Sequence, residues 1–185
     1  MKFSGHERVV CQQLTLKCCN LRLDHAIEIQ LTFYEQNLAI SREIGDRHGE
    51  GAVLGNLGNA YYLLGETRRA IQFYEQTLLI HREIGDRRGQ GAVLGNLGNA
   101  YADLGETRRA IELYEQQLAI VHEIGDRRGE GNALWNMSLA LDQVGERAQA
   151  IQYAEQALTI YEQIEAPSAA KVRAQLADWR DQTNS

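Results

Sequence analysis

Asparagine recurs along this 185-residue chain at fixed intervals. Asn56, Asn96 and Asn136 stand 40 residues apart, as do Asn59 and Asn99. An asparagine side chain offers one acceptor and two donors, so a row of them suits both edges of an extended peptide backbone. Arg88 and Arg128 share the same interval and would add bidentate capture of carboxylates. Projected as a helix, His48, Ala52, Gly55, Asn59 and Tyr62 share one stripe. Its copies are Arg88, Ala92, Gly95, Asn99 and Ala102, then Arg128, Asn132, Trp135, Leu139 and Asp142, with Asn56, Asn96 and Asn136 alongside. Stacked, these stripes predict a peptide-binding groove formed by Asn56, Asn59, Arg88, Asn96, Asn99, Arg128, Asn132, Trp135 and Asn136. Its ligand would be an extended segment with acidic side chains. The competing readings are structural. The asparagines would be solvated or cap local backbone, the two arginines would be solvated or pair with the preceding helix, and Trp135 would pack beneath a terminal helix.

Other residue types carry no comparable pattern. His81 and His122 occupy different positions in their copies, so they build no periodic metal site. Cys18 and Cys19 are adjacent but lack a second ligand pair, and with Cys11 they read as free thiols of a reducing cytoplasm. The Gly-x-x-Gly spacings fall inside helical pattern rather than after a strand, which excludes a phosphate-binding loop. The expectation is a non-enzymatic protein with no metal and no cofactor. Its net charge of −6 argues against nucleic acid or anionic membrane as the main partner. No apolar run approaches the roughly 18 residues of a membrane span, and the first residues lack the apolar stretch of a signal peptide.

The elements that must position these side chains follow from the repeat. Residues 91–101 copy residues 51–61 letter for letter, and 31 of the 40 positions in 51–90 recur in 91–130. A period of this size signals stacked units that share one core. Val53, Leu54, Leu57, Ala60, Tyr61 and Leu64 recur at helical spacing, and Gly65 ends that helix. Ala70, Ile71, Phe73, Tyr74, Leu78, Ile80 and Ile84 mark a second helix, for which Thr67 is a candidate cap. Gly85 supplies a left-handed stop, and Asp86 is a fitting N-cap for the next helix. Paired helices are predicted for 47–64, 67–84, 87–104, 107–124, 127–144 and 147–164, with a capping helix near 168–181 that begins at Pro167-Ser168. Gly58 and Gly98 fit close helix contact, whereas Gly55 and Gly95 are expected to face the groove.

Three regions result. Residues 1–30 form a degenerate N-terminal helical segment with four extra residues, Ile29 to Thr32. Residues 31–165 form the array, a partial repeat and then three full ones. Residues 166–185 form the C-terminal capping helix and tail. The imperfect first hairpin would leave apolar surface at that end, so a homodimer through the N-terminal end is also expected.

The residues Leu57-Gly58-Tyr61-Ala70-Tyr74 and Leu97-Gly98-Tyr101-Ala110-Tyr114 resemble the tetratricopeptide repeat (TPR). The longer period, with Ile-Gly-Asp-Arg between units, looks like the repeats of spindle-orienting scaffolds, kinesin light chains and bacterial signalling ATPases. The resemblance implies an all-α superhelix of antiparallel hairpins whose first helices line a concave groove for a protein or peptide ligand. It implies a protein-binding adaptor, with a self-association module or a regulatory segment of a larger signalling protein as alternatives. The lysines of the chaperone-binding carboxylate clamp are absent, since Gly55 and Gly95 stand at their positions. The last repeat departs from the pattern, with Ser138 for Gly58, Leu141 for Tyr61 and Ala154 for Tyr74.

Overall fold

The computed structural model describes residues 27–183. Among them all regular structure is helical: α1 (27–43), α2 (Arg47–Leu63), α3 (Thr67–Glu83), α4 (Arg87–Asp103), α5 (Thr107–Glu123), α6 (Arg127–Gln143), α7 (Arg147–Gln163) and α8 (Ser168–Thr183). The paired helices end within one residue of their expected limits. Residues 1–26, which include the three cysteines and most of the degenerate N-terminal segment, lie outside the described residues.

The helix ends are set locally. Gly45, Gly65, Gly85, Gly105, Gly125 and Gly145 all have positive φ, a conformation that a Cβ penalises. At the end of α2 the Gly65 N–H donates to the Tyr62 carbonyl at 3.0 Å, and the Glu66 N–H to the Tyr61 carbonyl at 2.9 Å. This Schellman closure satisfies carbonyls that the helix leaves unpaired. After α7 the same closure forms around Glu165, which adopts a φ of 51° without being glycine.

The first helix of each pair starts at a real cap. Asp46, Asp86 and Asp126 accept hydrogen bonds from the N–H groups of Gly49, Gly89 and Gly129, each at 2.9 Å. The second helices start differently. Glu66, Glu106 and Glu146 occupy the cap position and make no side-chain cap bond. Thr67 is therefore the first helical residue of α3 and not its cap. The reason is the preceding closure, which takes the Glu66 N–H back into α2 and leaves Glu66 itself at the junction.

The α2–α3 and α4–α5 hairpins are held by glycine against tyrosine. A Cβ on Gly58 would lie 2.5 Å from Cε1 of Tyr74, and one on Gly98 would strike the Tyr114 ring harder still. Both tyrosines are buried. Successive hairpins are tied on the other side: the Tyr101 hydroxyl donates to Glu75 at 3.2 Å while the Arg109 guanidinium lies 4.0 Å over the Tyr101 ring. α4 and α6 also touch across the hairpin between them, which places first helices on the inner wall. At the C-terminal end α8 buries Val172, Leu176 and Trp179 on the array. At the other end α1 leaves Ile29, Phe33 and Ile40 exposed, as is Ile44 in the turn that follows it. No helix among the described residues is long and apolar enough to cross a membrane.

Candidate functional site

A groove of about 740 Å³ runs between α4 and α6, closed at one end by α8. Its rim is cationic because the first turns of α4 and α6 carry Arg88 and Arg128, and α8 adds Lys171. All three are exposed, and none forms an ion pair among the described residues. The neighbouring arginines behave differently. Arg47 binds Glu83 and Glu50, and Arg87 binds Glu123. These guanidiniums hold the Glu83 and Glu123 carboxyls below the usual carboxylate range; at Glu50, Arg42 is the larger influence and Arg47 the smaller. Asp126 is the carboxylate of the groove lining, and its Oδ1 is committed to capping α6.

Of the nine residues expected to form the site, seven line this groove: Arg88, Asn96, Asn99, Arg128, Asn132, Trp135 and Asn136. Asn56 and Asn59 do not, because they sit on α2, one helix pair before the groove. Asn59 is connected to it indirectly, accepting from Asn96 Nδ2 at 3.3 Å.

The asparagines are not an open ladder. Asn59 Oδ1 also accepts from the Tyr74 hydroxyl at 2.8 Å, and Asn99 Oδ1 accepts from the Tyr114 hydroxyl at 2.8 Å and from Asn136 Nδ2 at 3.1 Å. Asn132 Oδ1 takes the Tyr161 hydroxyl at 2.7 Å. Burial raises the pKa of these tyrosines, to about 12 for Tyr74, so they stay neutral donors. A carbonyl oxygen has two lone pairs, and those of Asn59 and Asn99 are both used. The chain carried a signal of this pairing. The last repeat replaces Tyr114 with Ala154 and, at the position of Asn99, carries Leu139. Where the tyrosine is lost, so is its acceptor.

Trp135 is only 7% exposed. Its ring centroid lies 6.4 Å from that of Trp179 at an interplanar angle of 35°, so it packs beneath the capping helix while bordering the groove. The groove floor also contains Gly91, Gly95, Val121 and Gln117. Gln117 escaped the sequence reading because it comes from α5, a second helix, whereas only first-helix stripes were projected. Gly95 is accordingly not bare: the Gln117 amide covers it, 2.6 Å from where a Cβ would stand. Among the described residues no cluster of three or more His, Cys, Asp or Glu side chains could hold a metal.

Comparison with known proteins agrees with this architecture. Residues 31–83 and 89–163 match the tetratricopeptide repeat family. The G-protein-signaling modulator 1 of Mus musculus is 53% identical over 38 residues, which is 20% of this chain and 6% of that protein. The chain thus spans a small part of the length of the curated relatives it matches. A putative kinesin light chain from Podosopora anserina with nearly identical TPR-like repeats superposes with a TM-score of 0.72 at 20% identity, covering 99% of this chain and 90% of its own. A signal transduction ATPase with a tetratricopeptide repeat sensor from Pyrococcus horikoshii gives 0.74 at 23% identity, over 83% of this chain and 24% of its own. Those two likenesses concern the fold, while the match through both stretches of repeats makes this chain a member of the tetratricopeptide repeat family.

Proposed function

We propose that this protein is a non-enzymatic adaptor whose α4–α6 groove holds an extended polypeptide segment with acidic side chains. A protein-binding role is general to the fold. The acidic preference rests on one observation: Arg88, Arg128 and Lys171 converge on the groove without ion-pair partners, although most arginines nearby have them. Their charge is available to a ligand, and their helix N-termini add to the positive field. Asn96, Asn99, Asn132 and Asn136 contribute the hydrogen-bonding groups that their internal bonds leave over. Asn99 and Asn132 keep amide donors, and Asn136 keeps its carbonyl.

The test uses a fluorescein-labelled Glu-Ser repeat peptide and its Lys-Ser counterpart. The acidic peptide is expected to bind and the basic one to fail. Arg88→Ala with Arg128→Ala should cost tenfold or more in affinity, at about 1.5–3 kcal/mol per charged hydrogen bond at most. The loss should shrink as salt rises, because both guanidiniums are exposed. No binding of the acidic peptide, or full affinity in the folded double variant, removes the reading.

A second reading, self-association through the N-terminal end, is supported by the exposed stripe Ile29, Phe33 and Ile40 on α1. These positions share one helical face and can pair with the same face of a second copy. Light scattering of the wild type should then give a concentration-dependent mass that Phe33→Lys with Ile40→Lys abolishes. A monomer at all concentrations ends this second reading and leaves the first untouched.

A further inference from the structure

Repeats 51–90 and 91–130 differ at nine positions, and one of these exchanges Thr77 for Gln117. The two side chains occupy equivalent places on α3 and α5 with opposite outcomes. The Thr77 hydroxyl donates to the Phe73 carbonyl at 2.8 Å and is satisfied within its own helix. Gln117 is 7% exposed, and its Oε1 has no hydrogen-bond partner. Nε2 likewise has no hydrogen-bond partner among the described residues. The amide lies flat on the backbone of α4: a Cβ on Gly95 would stand 2.6 Å from Nε2 and 3.0 Å from both Cδ and Oε1. Gly95 is what allows it to lie there.

A stranded acceptor is a cost that a threonine or an apolar side chain at this place would avoid. The stranded group borders the same groove on which three unpaired cations converge. Asn99 and Asn132 already give their carbonyls to tyrosines, and Asn96 and Asn136 each donate to another asparagine, which leaves Gln117 as the groove amide with a hydrogen bond at neither end.

We propose that Gln117 reads the main chain of the bound segment, pairing both ends of its amide with one peptide group of the ligand. The inference rests on the reading that the groove takes an extended polypeptide. Nε2 donates to the ligand carbonyl, and Oε1 accepts the ligand N–H once the amide lifts from Gly95. A side-chain amide and a peptide group carry the same donor and acceptor pattern, so the match is self-complementary. Binding therefore satisfies an atom that the empty protein leaves unpaired. Specificity divides in two: Gln117 requires a peptide backbone, and Arg88 and Arg128 require carboxylates beside it. A small anion meets only the second demand.

The test pairs two measurements on Gln117→Leu and Gln117→Thr, thermal unfolding and affinity for the fluorescein-labelled Glu-Ser peptide. The expected result is an unchanged or raised melting temperature together with an affinity about tenfold lower, the loss of one or two neutral hydrogen bonds. An N-methylated copy of the peptide should bind the wild type about as weakly and lose little more in Gln117→Leu. A lowered melting temperature with unchanged affinity would make Gln117 a packing residue and overturn the proposal. If the Arg88→Ala, Arg128→Ala pair weakens binding while Gln117→Leu does not, the groove reading stands and this inference falls. If the wild type does not bind the peptide at all, both fall.

Discussion

The α4–α5 and α6–α7 hairpins share one backbone plan and fill it in opposite ways. In the middle hairpin α4 offers glycine and α5 supplies the bulk: Tyr114 lies on Gly98, and Gln117 lies on Gly95. In the last hairpin the equivalent positions reverse, with Ser138 and Trp135 on α6 against Ala154 and Ala157 on α7. The cause is the next neighbour. α5 is followed by another first helix of ordinary kind, whereas α7 is followed by α8, whose Trp179 needs a broad apolar partner and finds it in Trp135. The period thus sets where helices lie, and the volume between them can be supplied from either side.

The largest effect should come from filling the glycine side of the middle hairpin. Gly98→Leu is expected to cost roughly 1–3 kcal/mol through overpacking against Tyr114. Ser138→Ala, at the equivalent place in the last hairpin, removes only a hydroxyl bonded to the Trp135 carbonyl within its own helix at 2.7 Å. It should cost under about 1 kcal/mol. Urea unfolding of both variants decides, and equal losses would mean the two hairpins are packed alike.

Next comes the tyrosine acceptor. Asn99→Ala leaves the Tyr114 hydroxyl unpaired and should cost about 1–2 kcal/mol, with part of the loss recovered on adding Tyr114→Phe. A groove residue with no structural duty would leave the melting temperature unchanged. The Tyr114–Asn99 bond argues against that outcome. Leu139 already stands at this position opposite Ala154, so Leu139→Ala should show no dependence on residue 154 of this kind.

The smallest effect separates the two glycines expected to face the groove. A Cβ on Gly55 would meet Thr77 Cγ2 at 3.6 Å and Oγ1 at 4.0 Å, ordinary contacts, so Gly55→Ala should gain about 0.5–1 kcal/mol of helix propensity. On Gly95 the same change displaces the Gln117 amide, and the gain should vanish. It should return when Gly95→Ala is combined with Gln117→Thr, which copies the earlier repeat. Identical behaviour of Gly55→Ala and Gly95→Ala in the wild-type background would remove the difference between Thr77 and Gln117.

Helix boundaries were legible in the chain because local physics sets them. A glycine with positive φ and an aspartate three residues before a free N–H act within a single turn, and the 40-residue interval repeats them. Two of the three cations on the groove rim were legible for the same reason, since Arg88 and Arg128 occupy the first turns of helices whose starts were known; Lys171, on the capping helix, was not. What faces what was not. The commitment of Asn59 and Asn99 to tyrosines 15 residues onward depends on how closely two helices cross, and so does the seat of Gln117 on Gly95. The burial of Trp135 depends on α8, which belongs to no repeat. Periodicity assigns a residue to a face of its own helix; only the distance and angle between helices decide which partner that face meets.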